Sequence, residues 1–169
     1  MKGAIAALVL MLLLAGCTGP ANNVPDNDPV CHNLLGEIRA QFGQGYDLAA
    51  GELEENGGSC LYESKTDLNS PVIALVHKNL ISNKSKDETI ESITTSGLYQ
   101  LSTQKKIVED DNYVYGYMAK RENTVLTQSL ILFKGSTMIQ ISLIVFDESD
   151  LYSESMLLGF ALRINEKVD

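Results

Sequence analysis

Residues 113–146 read YVYGYMAKRENTVLTQSLILFKGSTMIQISLIVF, and this stretch decides the fold. It contains three apolar runs of strand length, at 113–119, 125–133 and 138–146. Short polar turns separate these runs, and turns of this length join antiparallel neighbours. The stretch therefore predicts three consecutive antiparallel strands.

The last of these runs indicates which side of the sheet is buried. Ile139, Ile141, Leu143 and Val145 share one side of the predicted strand, because successive side chains in a strand point to opposite faces. The other side mixes apolar residues with polar ones such as Gln140. We therefore predict that the first side faces the core.

Further elements are predicted upstream of this stretch. Strands are expected at 60–62, 72–76 and 103–109, where apolar and β-branched residues cluster between turn signals. Helices are expected at 29–42, which opens on a proline, and at 86–96, which is followed by a glycine.

A C-terminal helix is also predicted. It is expected to begin near Asp147, Ser149 or Asp150, each of which is a suitable N-cap residue. Its apolar side is formed by Leu151, Met156, Leu158, Ala161 and Leu162. The helix is expected to pack on the sheet.

Together these elements predict an α+β fold. We expect an antiparallel sheet of about five to seven strands, with N-terminal, middle and C-terminal helices packed mainly on one face. Residues 29–169 are expected to form a single globular domain, because the chain of 169 residues has room for one core.

The charge balance restricts the class of partner. The chain carries 22 acidic side chains against 13 basic ones, for a net charge of −9. Binding to nucleic acid needs clustered lysine and arginine, so a nucleic-acid partner is not expected.

The first residues indicate export. Met1 and Lys2 precede an apolar run at 4–15, which is too short to span a membrane and fits a secretory signal. The run ends in Leu14-Ala15-Gly16-Cys17, which resembles the lipobox of prokaryotic lipoproteins. The resemblance implies that residues 1–16 are removed and that Cys17 is lipidated. An ordinary cleaved signal with an incidental cysteine is the alternative.

A lipidated Cys17 would place the protein on the cell membrane or the outer membrane, facing the periplasm or the cell exterior. Residues 17–28 are then a lipid-bearing, flexible tether, because almost none of them can be buried.

The remaining cysteines, Cys31 and Cys60, are predicted to form a disulfide that ties the first helix to the sheet. The alternative is a metal site that recruits His32 or His77, but no close ligand spacing favours it.

A family resemblance supports the same picture. The segment from Asp28 to Leu35, together with Ser59-Cys60-Leu61-Tyr62, resembles the opening of small actinobacterial lipoprotein domains with a helix-to-strand cysteine pair. The order of elements across 72–164 is similar to the PsbP fold. These resemblances imply a binding or scaffolding role and transfer no catalytic residue.

No catalytic, phosphate-binding or zinc motif is present in the sequence. We therefore predict no enzyme activity, no metal and no cofactor, with a triad assembled from distant residues as the alternative. The acidic clusters at 26–28 and 109–112 are interpreted as solvated segments, with calcium binding as the alternative.

Tyr113, Tyr115 and Tyr117 alternate along one predicted strand and form an aromatic stripe. Such a stripe is either part of the structural core or a possible binding face.

The sequence favours a membrane-anchored, non-catalytic binding or accessory module of the cell envelope with a protein partner. The alternative is an immunity or inhibitor protein that neutralises an exported toxin or hydrolase, since an acidic surface suits a basic partner.

Overall fold

The computed structural model describes residues 29–80, 86–102, 104–148 and 151–168. The predicted signal peptide, Cys17 and the tether through residue 28 lie outside the described residues. In chain order the described elements are α1 (Pro29–Phe42), β1 (Tyr46–Glu54), β2 (Gly57–Ser64), β3 (Val72–Asn79), α2 (Lys86–Thr95), α3 (Gly97–Leu101), β4 (Gln104–Glu109), β5 (Val114–Glu122), β6 (Val125–Lys134), β7 (Thr137–Val145) and α4 (Glu154–Val168).

The strands form one antiparallel sheet in the order β1-β2-β3-β7-β6-β5-β4. After β3 the chain passes through α2 and α3 to the far edge and returns strand by strand, so that β7 fills the centre between β3 and β6. The predicted α+β class and the antiparallel sheet are confirmed.

One side of the sheet, here called the core face, is covered by α1 and α4. Ile139, Ile141, Leu143 and Val145 are fully buried on this side, as predicted. Full burial of each such side chain contributes about 1.5–3 kcal/mol relative to exposure. The two helices supply the opposing buried residues Leu34, Ile38, Leu157, Phe160 and Ile164.

The opposite side, here called the second face, carries the middle helices. Ile93 of α2 is buried against Val114 and Met118 of β5 and against Ile131 and Phe133 of β6. The terminal helices therefore share the core face, whereas α2 and α3 cover the other side of the β5 end of the sheet.

Three local predictions differ from the structure. Residues 46–54, for which the sequence predicts no element, form an edge strand, β1, whose backbone pairs with β2 despite its glutamates. A second short helix, α3, follows α2, and its N-cap Ser96 accepts a hydrogen bond from the Tyr99 amide. The C-terminal helix begins at Glu154, because Ser153 Oγ accepts from the Met156 amide, and Leu151 remains exposed outside it.

The predicted disulfide is present. Cys31 and Cys60 are joined with a Cα–Cα distance of 5.6 Å, and both are buried. The hydroxyl of Tyr62, itself fully buried, donates to the carbonyl of Cys31 at 2.8 Å. The first turn of α1 is thus held to β2 by a covalent bond and a buried hydrogen bond. Across the described ranges, every helix is too short or too polar to cross a membrane.

Reduction of the disulfide tests its contribution to stability. The bond closes a loop with a sequence separation of 29, for which the chain-entropy model gives about 3–4 kcal/mol. Reductant should lower the melting temperature and first increase amide exchange in α1. A thiol titration of the unfolded, unreduced protein should find Cys31 and Cys60 unreactive, and free thiols at both positions would contradict the pairing.

Substitution of Gly116 tests the packing of α2. A Cβ at Gly116 would lie 2.5 Å from Cγ2 of Ile93, a side chain that is 1% exposed and packs against residues of β5 and β6. Gly116→Ala should therefore lower the free energy of unfolding by about 1–3 kcal/mol, as overpacked cores do.

Gly36→Ala is the matched control. Gly36 lies within α1, and beyond the adjacent residues and backbone of that helix no heavy atom lies within 4 Å of an added Cβ. The same change there should stabilise the protein by about 0.5–1 kcal/mol, since alanine favours helix. Urea unfolding of both variants measures the difference, and an equal effect at the two sites would refute the packing argument.

Candidate binding surface

The tyrosine stripe lies on the core face rather than on an uncovered surface. Tyr115 is 5% exposed, and Tyr113 and Tyr117 are half-buried and pack against the main core. The rings of Tyr113 and Tyr115 lie 6.2 Å apart.

Tyr115 connects the sheet to the start of α4. Its hydroxyl donates to Glu154 Oε1 at 2.5 Å, and Lys106 Nζ of β4 lies 2.9 Å from the same oxygen. Burial, followed by the adjacent carboxylate, raises the pKa of Tyr115 above its usual range, so the phenol remains protonated and can donate. The hydrogen bond from Tyr115 lowers the pKa of Glu154 against the opposing effect of burial, and Lys106 lowers it further.

Glu154 is the first residue of α4, where a negative charge is favoured by the partial positive charge of the helix N-terminus. The arrangement therefore positions the helix on the sheet.

Tyr117 also has a structural partner. Gln128 of β6 is 1% exposed, and its Nε2 donates to the Tyr117 hydroxyl at 2.9 Å and to the carbonyl of Tyr152. The Tyr152 amide in turn donates to Gln128 Oε1 at 3.2 Å. A buried amide thus fixes the segment that leads into α4. The sequence signal for this role was Gln128, a polar residue at an inward position of an apolar strand.

The two histidines have different environments. His32 is exposed on α1, whereas His77 is 6% exposed within β3. A Cβ at Gly58 would lie 3.1 Å from His77 Nε2, so the glycine leaves the space that the imidazole fills. In the described part of the chain, no group of three His, Cys, Asp or Glu side chains is placed to hold a metal ion.

The acidic turn after β4 has a local structural role. Asp110 Oδ1 accepts a hydrogen bond from the Asn112 amide at 3.1 Å, which stabilises the turn. The other acidic cluster, at 26–28, lies outside the described residues.

A different surface lies on the second face, beside the middle helices. Leu61 of β2 and Val72, Ala74 and Val76 of β3 form a half-buried apolar strip, and the strand register places all four on this face. None of the four packs against either buried cluster of the described residues. We call these four residues the open strip.

Carboxylates line the outer side of the open strip. Glu52 and Glu63 are exposed and lie on the same face, as the pairing of Glu52 with Ser59 and of Glu63 with Asp47 shows. Glu54 lies 3.3 Å from Lys78, which is the cation that β3 contributes to this face. The strip is therefore apolar along its centre and acidic along its β1 side.

A polar boundary separates the open strip from the part of the face that α2 covers. Ser129 and Ser142 lie side by side with their Oγ atoms 2.9 Å apart, and Ser129 is fully buried. The Gln140 amide nitrogen lies 3.3 Å from Ser142 Oγ, at the edge of the strip. The open strip and the α2 contact are thus two separate areas of one sheet face.

The chain matches no protein-family model and no curated protein. Its structure has a distant likeness to the crystal structure of a GTP binding regulator from Thermotoga maritima. That likeness has a TM-score of 0.44 and 10% sequence identity, and it covers 82% of this chain and 91% of the other. At this level the likeness carries no argument about function.

The Tyr115–Glu154 contact predicts a pH-dependent contribution to stability. The folded-state pKa of Glu154 is lowered, so its contribution is present above the unfolded pKa and is lost as pH falls through the folded pKa. Glu154→Gln should cost about 1 kcal/mol near neutral pH, because a charge-assisted hydrogen bond becomes a neutral one.

The cost should shrink on acidification, since a protonated Glu154 resembles glutamine. Glu166→Gln, at the exposed C-terminal end of the same helix, is the control and should have little effect at any pH. Urea unfolding over a range of pH measures both variants. A cost that stayed constant into acid would show that the carboxylate charge does not matter.

Proposed function

We propose that this protein is an exported lipoprotein whose domain acts as a non-catalytic binding or accessory module of the cell envelope. In this proposal Cys17 bears the lipid, and the domain faces the periplasm or the cell exterior. The observation that carries the proposal is the buried Cys31–Cys60 disulfide. Structural disulfides persist in oxidising compartments outside the cytoplasm and are rare within it.

The lipobox at 14–17 supports the same compartment independently of the disulfide. In this proposal a stable disulfide requires export, because a reducing cytoplasm would keep Cys31 and Cys60 as thiols. The two features lie only 14 residues apart in the chain, with the tether between Cys17 and Cys31.

The position of the disulfide suits a tethered domain. Cys31 lies in the first turn of α1, which begins one residue after the tether ends. Helix ends fray when packing alone holds them, and the bond to β2 prevents fraying where the tether would pull. The 12 residues of the proposed tether, 17–28, set an upper limit of about 40 Å on the distance between Cys17 and α1.

The charge of the exported part determines how the domain would sit at a membrane. Residues 17–169 contain 22 acidic and 12 basic side chains. Anionic headgroups repel such a surface, so the lipid would hold the domain near the membrane without drawing its surface onto the headgroups. The domain surface, including the open strip, would then be available to a protein partner.

Replacement of Cys17 tests the anchor. The wild-type chain should incorporate labelled palmitate and partition into the detergent phase, whereas Cys17→Ser should do neither, because the lipid is attached to the thiol. Thr18→Ser changes the adjacent residue and should behave as wild type. The proposal fails if Cys17→Ser remains in the detergent phase or if the wild-type chain carries no label.

A further inference from the structure

We propose that the open strip binds a basic amphipathic helix of a partner protein. This inference deepens the proposed function, since it rests on the domain being a binding module and names the chemistry of its partner. It does not depend on the lipid at Cys17.

The shape of the surface favours a helix. β1, β2 and β3 lie side by side at the edge of the sheet and present a band about 14 Å wide, since neighbouring strands are about 4.8 Å apart. A helix with its side chains is about 10–12 Å across. The band therefore accommodates one helix, just as α2 occupies the other end of the same face.

The length of the surface sets the length of the helix. β3 has eight residues, which span about 27 Å at the rise of an antiparallel strand. A helix of about 18 residues covers the same distance. The partner segment is thus about five turns long.

Charge determines which helix fits. Glu52 and Glu63 are exposed beside the open strip, and neither forms an ion pair with a cation of the described residues. Lysine or arginine side chains flanking an apolar helix face would meet these carboxylates while the apolar face contacts Leu61, Ala74 and Val76. An acidic helix would be repelled, so the same charges also provide selectivity.

The four side chains of the open strip are half-buried and apolar, so a partner would complete their burial. Ala74 and Val76 present little side-chain bulk, so a helix backbone can approach the sheet closely. Gln140 at the boundary offers an amide to polar groups on the partner side. Such an interface is expected to combine an apolar centre with a charged rim.

The test uses the full chain and an 18-residue peptide of leucine, alanine and lysine, arranged so that the apolar residues share one helical face. A scrambled peptide of identical composition and an analogue with glutamate in place of lysine are the peptide controls. Binding is measured by calorimetry, and the site is mapped by amide chemical shifts.

The wild-type chain should bind the amphipathic peptide at least about tenfold more tightly than either control peptide, with shifts concentrated in β1, β2 and β3. The double variant Glu52→Lys/Glu63→Lys should weaken binding at least about tenfold, because rim charges are reversed. Glu109→Lys/Glu166→Lys makes the same change in net charge at β4 and α4 and should weaken binding less than about threefold.

Val76→Lys provides a second variant that leaves the acidic rim intact. It places a charge in the centre of the open strip and should abolish binding without altering the far-UV spectrum of the folded domain.

The inference is overturned if the peptide fails to bind, if both charge-reversed variants weaken binding equally, or if the shifts lie outside β1, β2 and β3. If the wild-type chain carries no palmitate label but binds the peptide, the lipid anchor is refuted and the open strip is not. If the chain is labelled but does not bind the peptide, the open strip is refuted and the lipid anchor is not.

Discussion

The pairing of β7 with both β3 and β6 is the interaction on which the rest of the structure depends. The β3–β7 half of this pairing joins strands that are far apart in the chain, so that Val72 lies beside Ile144 and Asn79 beside Thr137. Closing so long a loop costs chain entropy, which only the burial of the central residues can offset. β7 meets this requirement because its core-face residues are fully buried under α1 and α4.

The central strand also determines how the two faces are used. The core face receives the two terminal helices, which meet where Phe42 contacts Tyr152 and Phe160 edge to face, with ring centroids 5.1 Å apart. Among the described elements, the second face receives the middle helices α2 and α3, which pack on β5. The β1 side of the sheet is therefore covered on one face and carries the open strip on the other.

Two sets of contacts hold the first turns of the terminal helices, α1 and α4, on the sheet. The disulfide and the Tyr62 hydroxyl fix the first turn of α1, and the Tyr115–Glu154–Lys106 contact fixes the first turn of α4. Tyr115 of the tyrosine stripe therefore helps to hold the start of α4 on the sheet. The hydroxyl of Tyr115 donates to Glu154, and the hydroxyl of Tyr117 accepts from Gln128. The binding role of the stripe stays a prediction.

The sequence by itself determined the fold class, the central strands and the cysteine pair, because alternation of apolar residues and the number of available cysteines are local or countable properties. It did not reveal β1, whose glutamates are tolerated because a strand at the sheet edge needs only one paired neighbour and one buried face. It also misplaced the start of α4, since several residues between Asp147 and Ser153 are suitable caps and only packing against β5 and β6 selects Ser153. The open strip could be found only from the tertiary structure, because Glu52, Glu63, Leu61 and Ala74 become neighbours only when three strands pair in one register.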